Sequence, residues 1–317
     1  MCIFSSSAPC WTTLLHSAIL VSAPVENKPG LVPLTLARWE RTMPLAASGS
    51  LRYNQPYGLR IGRPTIRKLR GVDFNATFRP PWRQRRKGNN KMIQISGTAE
   101  WSAAHPGSVI GLLEMAGVEN TPAGPQLNER KRETEARLRR QYAGFSRKDF
   151  LALPVMAAYD RYYRRFDKTY HVLLQVESIV LKGKNLPDVS PLVDANFSAE
   201  VDTLVLTAGH DAARLAGPVQ IDVARAGDEL TSMNGSAKLI PPGDMVMRDG
   251  LGLCCSILYG QDNRSPITAE TRHVLYVAYV PPGVPREAVE AQLRQIEQNV
   301  RLFAPQAKVE QSRLLAA

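Results

Sequence analysis

The stretch DMVMRDGLGLCCSILYGQDNRSPITAETRHVLYVAYV, residues 244–280, decides the fold. Residues 244–260 read as a hairpin whose apolar arms turn at Asp249-Gly250-Leu251-Gly252, where glycine supplies the backbone freedom a tight reversal needs. The run 273–280 is a further strand. Downstream, residues 285–303 predict a helix with Pro285 at its first position and Val289, Leu293, Ile296, Val300 and Phe303 at 4-3-4-3 spacing.

Upstream of the hairpin, 218–240 predicts a β-ribbon around Ala226-Gly227 and Asn234-Gly235, 203–207 a strand, and 190–202 a short helix. The run from Tyr170 to Leu181 reads as a strand, straight or bent, ending at a Lys-Gly-Lys-Asn turn. Residues 147–167, after Ser146 as N-cap, predict a helix bent at Pro154 whose tyrosines belong to the core. Residues 126–143 predict a charged helix with Gly144 as its C-cap. Its sparse apolar positions, Leu127, Leu138 and Tyr142, leave it mostly facing solvent. Residues 108–118 form a short buried apolar segment of either type. Helices early, a β-rich middle and one late helix predict an α+β domain, a mixed sheet with flanking helices, and not a doubly wound parallel fold.

This order begins only at Met92. The chain has 317 residues and a formal net charge of +11. Residues 1–91 hold 15 Lys and Arg against Glu26, Glu40 and Asp73, a net of +12, so the rest sums to −1. Nine of the 23 prolines also fall there, with no sustained period of 2 or 3.6. Residues 1–91 are read as a disordered basic tail, with the run Arg83 to Lys87 as a solvated segment and not a nucleic-acid contact. The break is best explained by a native start at Met92, with 92–317 as the domain. Within it, residues 126–184 carry a net of +7 and 185–317 a net of −5. One end could grip a polyanion and the other hold a polar site.

Chemistry is first bounded by absence. No P-loop, GxGxxG, HExxH or GxSxG occurs, which removes the usual support for nucleotide cofactors, zinc peptidases and serine esterases. No cofactor and no metal is expected. Adjacent Cys254 and Cys255 are poorly placed for a mutual disulfide, and the stretch 14–23 is too short to span a bilayer. A reduced cytoplasmic setting without membrane attachment follows as the expectation. Cys255, His210 and Asp262 make a formal nucleophilic set, but the cysteines lie in the apolar run Leu253–Leu258 and read as inert strand residues.

Four polar turns stand beside apolar strands, in the places where sites are commonly built. They are PLVDANF with Asp194 and Asn196; LTAGHD with Thr207, His210 and Asp211; SMNG with Asn234 and Gly235; and LYGQDNRSPIT with Gln261, Asp262, Asn263, Arg264 and Ser265. Each also fits a structural role: Asp194 and Asp211 as helix caps, Asn234-Gly235 as a hairpin turn, Asp262-Asn263 as a loop with its own side-chain bonds.

The serial order VDANF, TAGHDAARL, VQIDVARAGDELTSMNG, DMVMRD, LYGQDNRSPIT and HVLYVAY resembles the B3/B4 domain of the phenylalanyl-tRNA synthetase β subunit, and residues 92–317 resemble its free-standing form. The resemblance implies a mixed α+β domain that binds tRNA and, within the synthetase, hydrolyses tyrosine wrongly attached to phenylalanine tRNA. It places Asp262 at the editing-site acid, normally Glu, and Asn234-Gly235 at an Asp-Gly hairpin. Asp194 and Asn196 match a VD-x-x-N segment. The family's histidine falls near Ala208, two positions from His210.

An aminoacyl ester is intrinsically labile, so such a site need only hold the 3′ end, position a water and stabilise the oxyanion. Under this reading Asp262, His210 and Thr207 carry the catalysis. Asp194, Asn196, Asn234, Gly235, Gly260, Gln261 and Asn263 bind substrate. Lys131, Arg137, Arg140, Arg164, Arg165 and Lys168 contact tRNA phosphates. Partners are then tRNA or aminoacyl-tRNA, with no DNA. Two competing readings are a tRNA- or amino-acid-binding module without catalysis, and a synthetase-associated partner docking through the helix 126–143.

Overall fold

A computed structural model describes residues 92–121 and 124–317. The readings made for residues 1–91 lie outside the described residues. In chain order the elements are β1 (Ile95–Gly97), α1 (Ala99–Ala104), β2 (Val109–Ala116), α2 (Pro125–Gln141), α3 (Arg147–Ala152), α4 (Pro154–Arg164), α5 (His171–Val180), α6 (Pro191–Thr203) and β3 (Thr207–Asp211). They continue with β4 (Val219–Val223), β5 (Glu229–Thr231), β6 (Ala237–Leu239), β7 (Met245–Asp249), β8 (Gly252–Ser256), β9 (Gly260–Gln261), β10 (His273–Val280), α7 (Arg286–Arg301) and β11 (Lys308–Ala316).

The apolar run His273–Val280 is an inner strand of a four-stranded antiparallel sheet in the order β11-β2-β10-β3. A strand buried on both faces needs no polar alternation, which is why both β10 and β2 read as nearly unbroken apolar text. On one face Leu113, Met115, Val274 and Tyr276 pack with Leu192, Ala195 and Ala199 of α6 and with Leu293, Ile296 and Val300 of α7. Leu112, Leu275, Val277 and Tyr279 belong to a second cluster with the tyrosines of α4 and the apolar face of α5. A five-stranded mixed sheet, β1-β4-β7-β8-β9, adds its inner face to that cluster, with only β1 and β4 parallel. The α+β class with a mixed sheet and flanking helices is the observed one.

Several elements differ from the sequence reading. The run 170–181 is not a strand but α5, His171–Val180. Its buried residues Val172, Leu173, Val176 and Ile179 recur at helical spacing, a period that the concentration of β-branched residues masked. Residues 147–167 form two helices, because the peptide before Pro154 is extended and Leu153 (φ −65°, ψ 136°) restarts the chain where a bend was expected. The strand expected at 203–207 lies at Thr207–Asp211, since α6 runs on until Leu204 closes it in the left-handed conformation (φ 64°). The ribbon 218–240 divides: β4 joins the five-stranded sheet, and only β5 and β6 pair across Asn234-Gly235. Pro285 is the N-cap of α7 and not its first helical residue. The C-terminal strand β11 had no sequence forecast, its mixed polarity reflecting an edge position beside β2.

The helix α2 faces solvent over most of its surface, as its sparse apolar positions predict, and only the stripe of Leu127, Lys131, Thr134, Glu135 and Leu138 is buried against α5 and α6. Glu135 Oε1 accepts the Leu186 amide at 2.6 Å, and Arg139 Nη2 donates to the Lys184 carbonyl at 2.9 Å. These polar bonds fasten the connection between α5 and α6, so the contact stripe of this surface helix can hold charges when they are spent on backbone groups. The tyrosines are core residues as expected, and their hydroxyls are satisfied: Tyr159 donates to the Tyr279 carbonyl, Tyr163 to Ile257 and Tyr170 to Leu204. Among the described residues no helix is long and apolar enough to cross a membrane, and no group of three or more His, Cys, Asp or Glu is placed to hold a metal ion.

Candidate active site

Between α5, α6 and the ends of β3, β8, β9 and β10 lies a cavity of about 1110 Å³. Its size lies just above the range of small-molecule sites, roughly 300–1,000 Å³. The walls are apolar: Leu174 and Ile179 from α5, Phe197 from α6, Ile257 and Tyr259 after β8, and Tyr276 from β10. Gly209 contributes bare backbone, because a Cβ there would sit 2.7 Å from Ile267 and 3.2 Å from Tyr276. At the mouth, the turn bearing Met233 and Asn234 approaches from the β5–β6 hairpin.

The structure brings together Asp194, Asn196, Thr207, Asn234, Gly260 and Gln261, all of which border the cavity. It does not bring Asp262, His210, Gly235 or Asn263 there. Gly235 is the exposed left-handed residue (φ 81°) of the hairpin turn, and Asn263 is exposed beside β5, its amide donating to the Thr231 carbonyl.

Asp262 and His210 do meet each other, but inside the wall. Asp262 Oδ1 accepts the amide and the hydroxyl of Ser265 at 3.1 and 2.8 Å, and Arg264 Nε stands 2.6 Å from its Oδ2. Ser265 Oγ is in turn 2.8 Å from His210 Nδ1. Because the serine proton is given to Asp262, His210 must carry its proton on Nδ1, and Nε2 is then an unprotonated nitrogen buried without a partner. Burial holds the imidazole neutral, with its pKa down to about 4. All three side chains are within 2% of complete burial, so neither the acid nor the histidine reaches a ligand in the cavity. Their catalytic assignment is corrected on that ground: the residues around Asp262 satisfy its charge and turn it inward. Asp262→Ala is expected to destabilise the fold by about 1–3 kcal/mol, because Ser265 and Arg264 lose their acceptor. Urea unfolding of this variant checks it, and loss of activity alone would not show a catalytic role.

Of the three expected catalytic residues only Thr207 borders the cavity. Its hydroxyl accepts from Gln292 Nε2 at 2.9 Å, and its carbonyl accepts from Asn196 Nδ2 at 2.8 Å. Both side chains therefore hold α6, β3 and α7 in register. Asp194, in the first turn of α6, accepts the Val189 amide and the Lys131 ammonium.

Two cavity residues, His171 and Glu200, had no signal in the sequence reading, and a third, Cys255, is read there as inert. His171 begins α5; desolvation lowers its pKa to about 4, so its ring is neutral. The Tyr163 hydroxyl, which donates to Ile257, can only accept from His171 Nδ1, at 3.3 Å, which leaves Nε2 as a free acceptor. Glu200, 3% exposed, takes the Thr207 amide on Oε2 at 2.9 Å, and burial raises its pKa to about 8. Cys255 lies beside Tyr279, its thiol pushed up to about 12 by burial, so it is unreactive as a nucleophile. The place of His171 depends on helical phase, which a strand reading of 170–181 concealed, and that of Glu200 on long-range packing.

The expected phosphate contacts separate in the same way. Lys131 is buried on Asp188, Asp194 and the Pro187 carbonyl, so it is not a phosphate ligand. The others lie at the surface. Arg137 pairs with Asp202, Arg164 with Asp160, Arg165 covers the rings of Tyr162 and Phe166, and Arg140 is exposed. Lys168 stands 5.0 Å over the ring of Tyr259, which puts a cation at the rim.

The B3/4 domain family matches residues 156–299, a span shorter than half of the chain that contains α5, α6 and all the strands bordering the cavity. No curated protein matches. Among solved structures the chain is similar to an N-terminal fragment of the phenylalanyl-tRNA synthetase β subunit from Pyrococcus horikoshii, at 8% identity and a TM-score of 0.36. That alignment covers 69% of this chain and 50% of the fragment, so the chain spans about half the fragment's length. The chain resembles the B3/B4 domain of the phenylalanyl-tRNA synthetase β subunit, and the family match places that likeness at residues 156–299.

Proposed function

We propose that this chain binds tRNA and hydrolyses, in trans, the ester of a wrongly attached amino acid. The observation that carries the reading is the cavity itself: VDANF, the Thr207 strand, the Asn234 turn and the Gly260-Gln261 strand, read in series as a B3/B4 pattern, converge on one apolar chamber. The apolar walls receive the amino acid side chain. Backbone amides near Gly260 serve the oxyanion, and His171 Nε2 accepts a hydrogen bond from the attacking water. At a pKa of about 4 the imidazole orients that water more than it ionises it, which a labile ester tolerates. Arg137, Arg140, Arg164, Arg165 and Lys168 hold phosphates.

The test is deacylation of phenylalanine tRNA charged with tyrosine, alongside a panel of other mischarged tRNAs. Hydrolysis is expected for at least one, with His171→Ala slower by about 100-fold. Binding should weaken as salt rises, and Arg164→Ala should reduce the slope of log affinity against log salt by about one. Failure to bind any tRNA overturns the proposal.

A second reading, binding without hydrolysis, is favoured by one observation: the only Asp-Ser-His chain near the cavity, among the described residues, is sealed in its wall. It gains the field if tRNA binds and no ester is cleaved.

A further inference from the structure

Glu200 is a buried carboxyl with an unfinished hydrogen-bond shell. It sits on the last turn of α6 at the cavity wall, and the Thr207 amide occupies Oε2. The hydroxyls of the three tyrosines packed against it are committed elsewhere: Tyr159 to the Tyr279 carbonyl, Tyr163 to Ile257, Tyr170 to Leu204. The Thr207 hydroxyl is held by Gln292 and aimed at the Val205 carbonyl. Among the described residues no Lys or Arg lines the cavity wall, Lys168 reaching only the rim over Tyr259, and the one histidine of the lining, His171, is neutral. Lys131, the nearest buried cation of α2, is already shared by two carboxylates. A buried acid with one amide donor and no cation is costly to keep unless a ligand completes it.

We infer that Glu200 is the receptor for the free ammonium group of the ligand, so that the cavity takes amino acid esters with an unblocked amine and excludes N-acylated esters and free amino acids. The assignment rests on reading the cavity as the amino acid end of the proposed site. The same lining that leaves Glu200 unpaired explains the exclusion of free amino acids. A free carboxylate would enter a chamber whose walls, among the described residues, carry no cationic side chain, whereas an ester brings no carboxylate charge to desolvate. An N-acyl group removes the positive charge and brings an amide to a site that asks for an ion. Thr207 and Glu200 thereby sort ligands at the amine, while the apolar walls sort them at the side chain.

Protonation supports the assignment. With the carboxyl raised to about 8, the empty site is protonated at neutral pH, and Tyr159, Tyr163 and Tyr170, the titratable groups packed against it, all have raised values and stay neutral. Pairing with an ammonium ion requires the carboxylate, so binding expels a proton. Affinity should rise about 10-fold per pH unit below pH 8, as long as the ligand amine itself stays protonated.

The experiment is isothermal titration of the full chain with methyl esters of alanine, serine, leucine, phenylalanine and tyrosine, their N-acetyl counterparts and the free amino acids. It is run at about pH 6.5 in two buffers of different ionisation enthalpy. At least one ester is expected to bind with release of about one proton, with its N-acetyl and free-acid counterparts weaker by about 10-fold or more. Glu200→Gln, which keeps the Thr207 bond, should lose the proton release and bind the ester about 10-fold more weakly. The wild-type comparison stands even if that variant fails to fold. Equal affinity for the N-acetyl ester, equal affinity for the free acid, absence of proton release, or binding of none of the esters overturns the inference. A chain that cleaves charged and N-acetylated charged tRNA alike retains the proposed function and loses this assignment. One that binds free-amine esters but no tRNA does the opposite.

Discussion

Lys131→Met is expected to cost about 3–5 kcal/mol of folding stability, the typical penalty for removing one partner of a buried ion pair. Its ammonium is 1% exposed and meets Asp194 Oδ2 at 2.8 Å, Asp188 Oδ1 at 2.5 Å and the Pro187 carbonyl at 2.6 Å. Asp188 is largely in water and would merely lose a partner; Asp194 is 7% exposed and would keep its charge with only the Val189 amide to bind it. Since Lys131 joins α2 to the start of α6, the cavity wall carrying Asp194 and Asn196 should loosen with it. Equilibrium urea unfolding gives the number. The double variant Lys131→Met with Asp194→Leu should recover most of the loss, because the uncompensated charge is gone. A single variant within about 0.5 kcal/mol of the parent would show that the pair contributes nothing.

Glu200→Gln is expected to raise stability by several kcal/mol at pH 9 and to change it little at pH 4. The sign follows from linkage. Glu200 is raised from 4.5 to about 8 on folding, so between those values the folded chain holds a proton that the unfolded chain has lost. Stability from this group is therefore complete below about pH 4.5, falls by about 1.4 kcal/mol per unit, and levels off above pH 8. Asp244, raised to about 7 by burial beneath Tyr162 and Ser256, acts in the same direction over a narrower window. Glu114, Asp222 and Asp228 are lowered and act oppositely, losing their contribution as the pH falls. The difference between variant and parent isolates Glu200 from them. Unfolding free energies measured from pH 4 to 9 should diverge across 4.5 to 8, and a flat difference would contradict the assignment of a raised carboxyl.

Much of the fold could be read because the relevant signals are local. The hairpin 244–260, the strand His273–Val280, the helices starting at Pro191 and Arg286, and the turn at Asn234-Gly235 each announce themselves through a few neighbouring residues. The site was only half legible. Thr207 and Gln261, at strand ends, and Asn196, on α6, do border the cavity, but nothing local says which way a side chain at such a place will turn. Asp262 turns inward because Arg264 and Ser265, two and three residues on, satisfy it.

From its sequence alone this protein is determined to be an α+β domain with a B3/B4-like series of segments, since hydrophobic period, proline, glycine and caps act over a few residues. Tertiary structure alone decided that 171–180 is a helix, that Lys131 and Glu135 of α2 are buried, and that His171 and Glu200 face one chamber. Those outcomes depend on desolvation and on pairing between residues tens of positions apart, such as Lys131 with Asp194 or Tyr159 with Tyr279. Burial acts on the assembled protein, and only there does an ordinary glutamate become a neutral acid waiting for a cation.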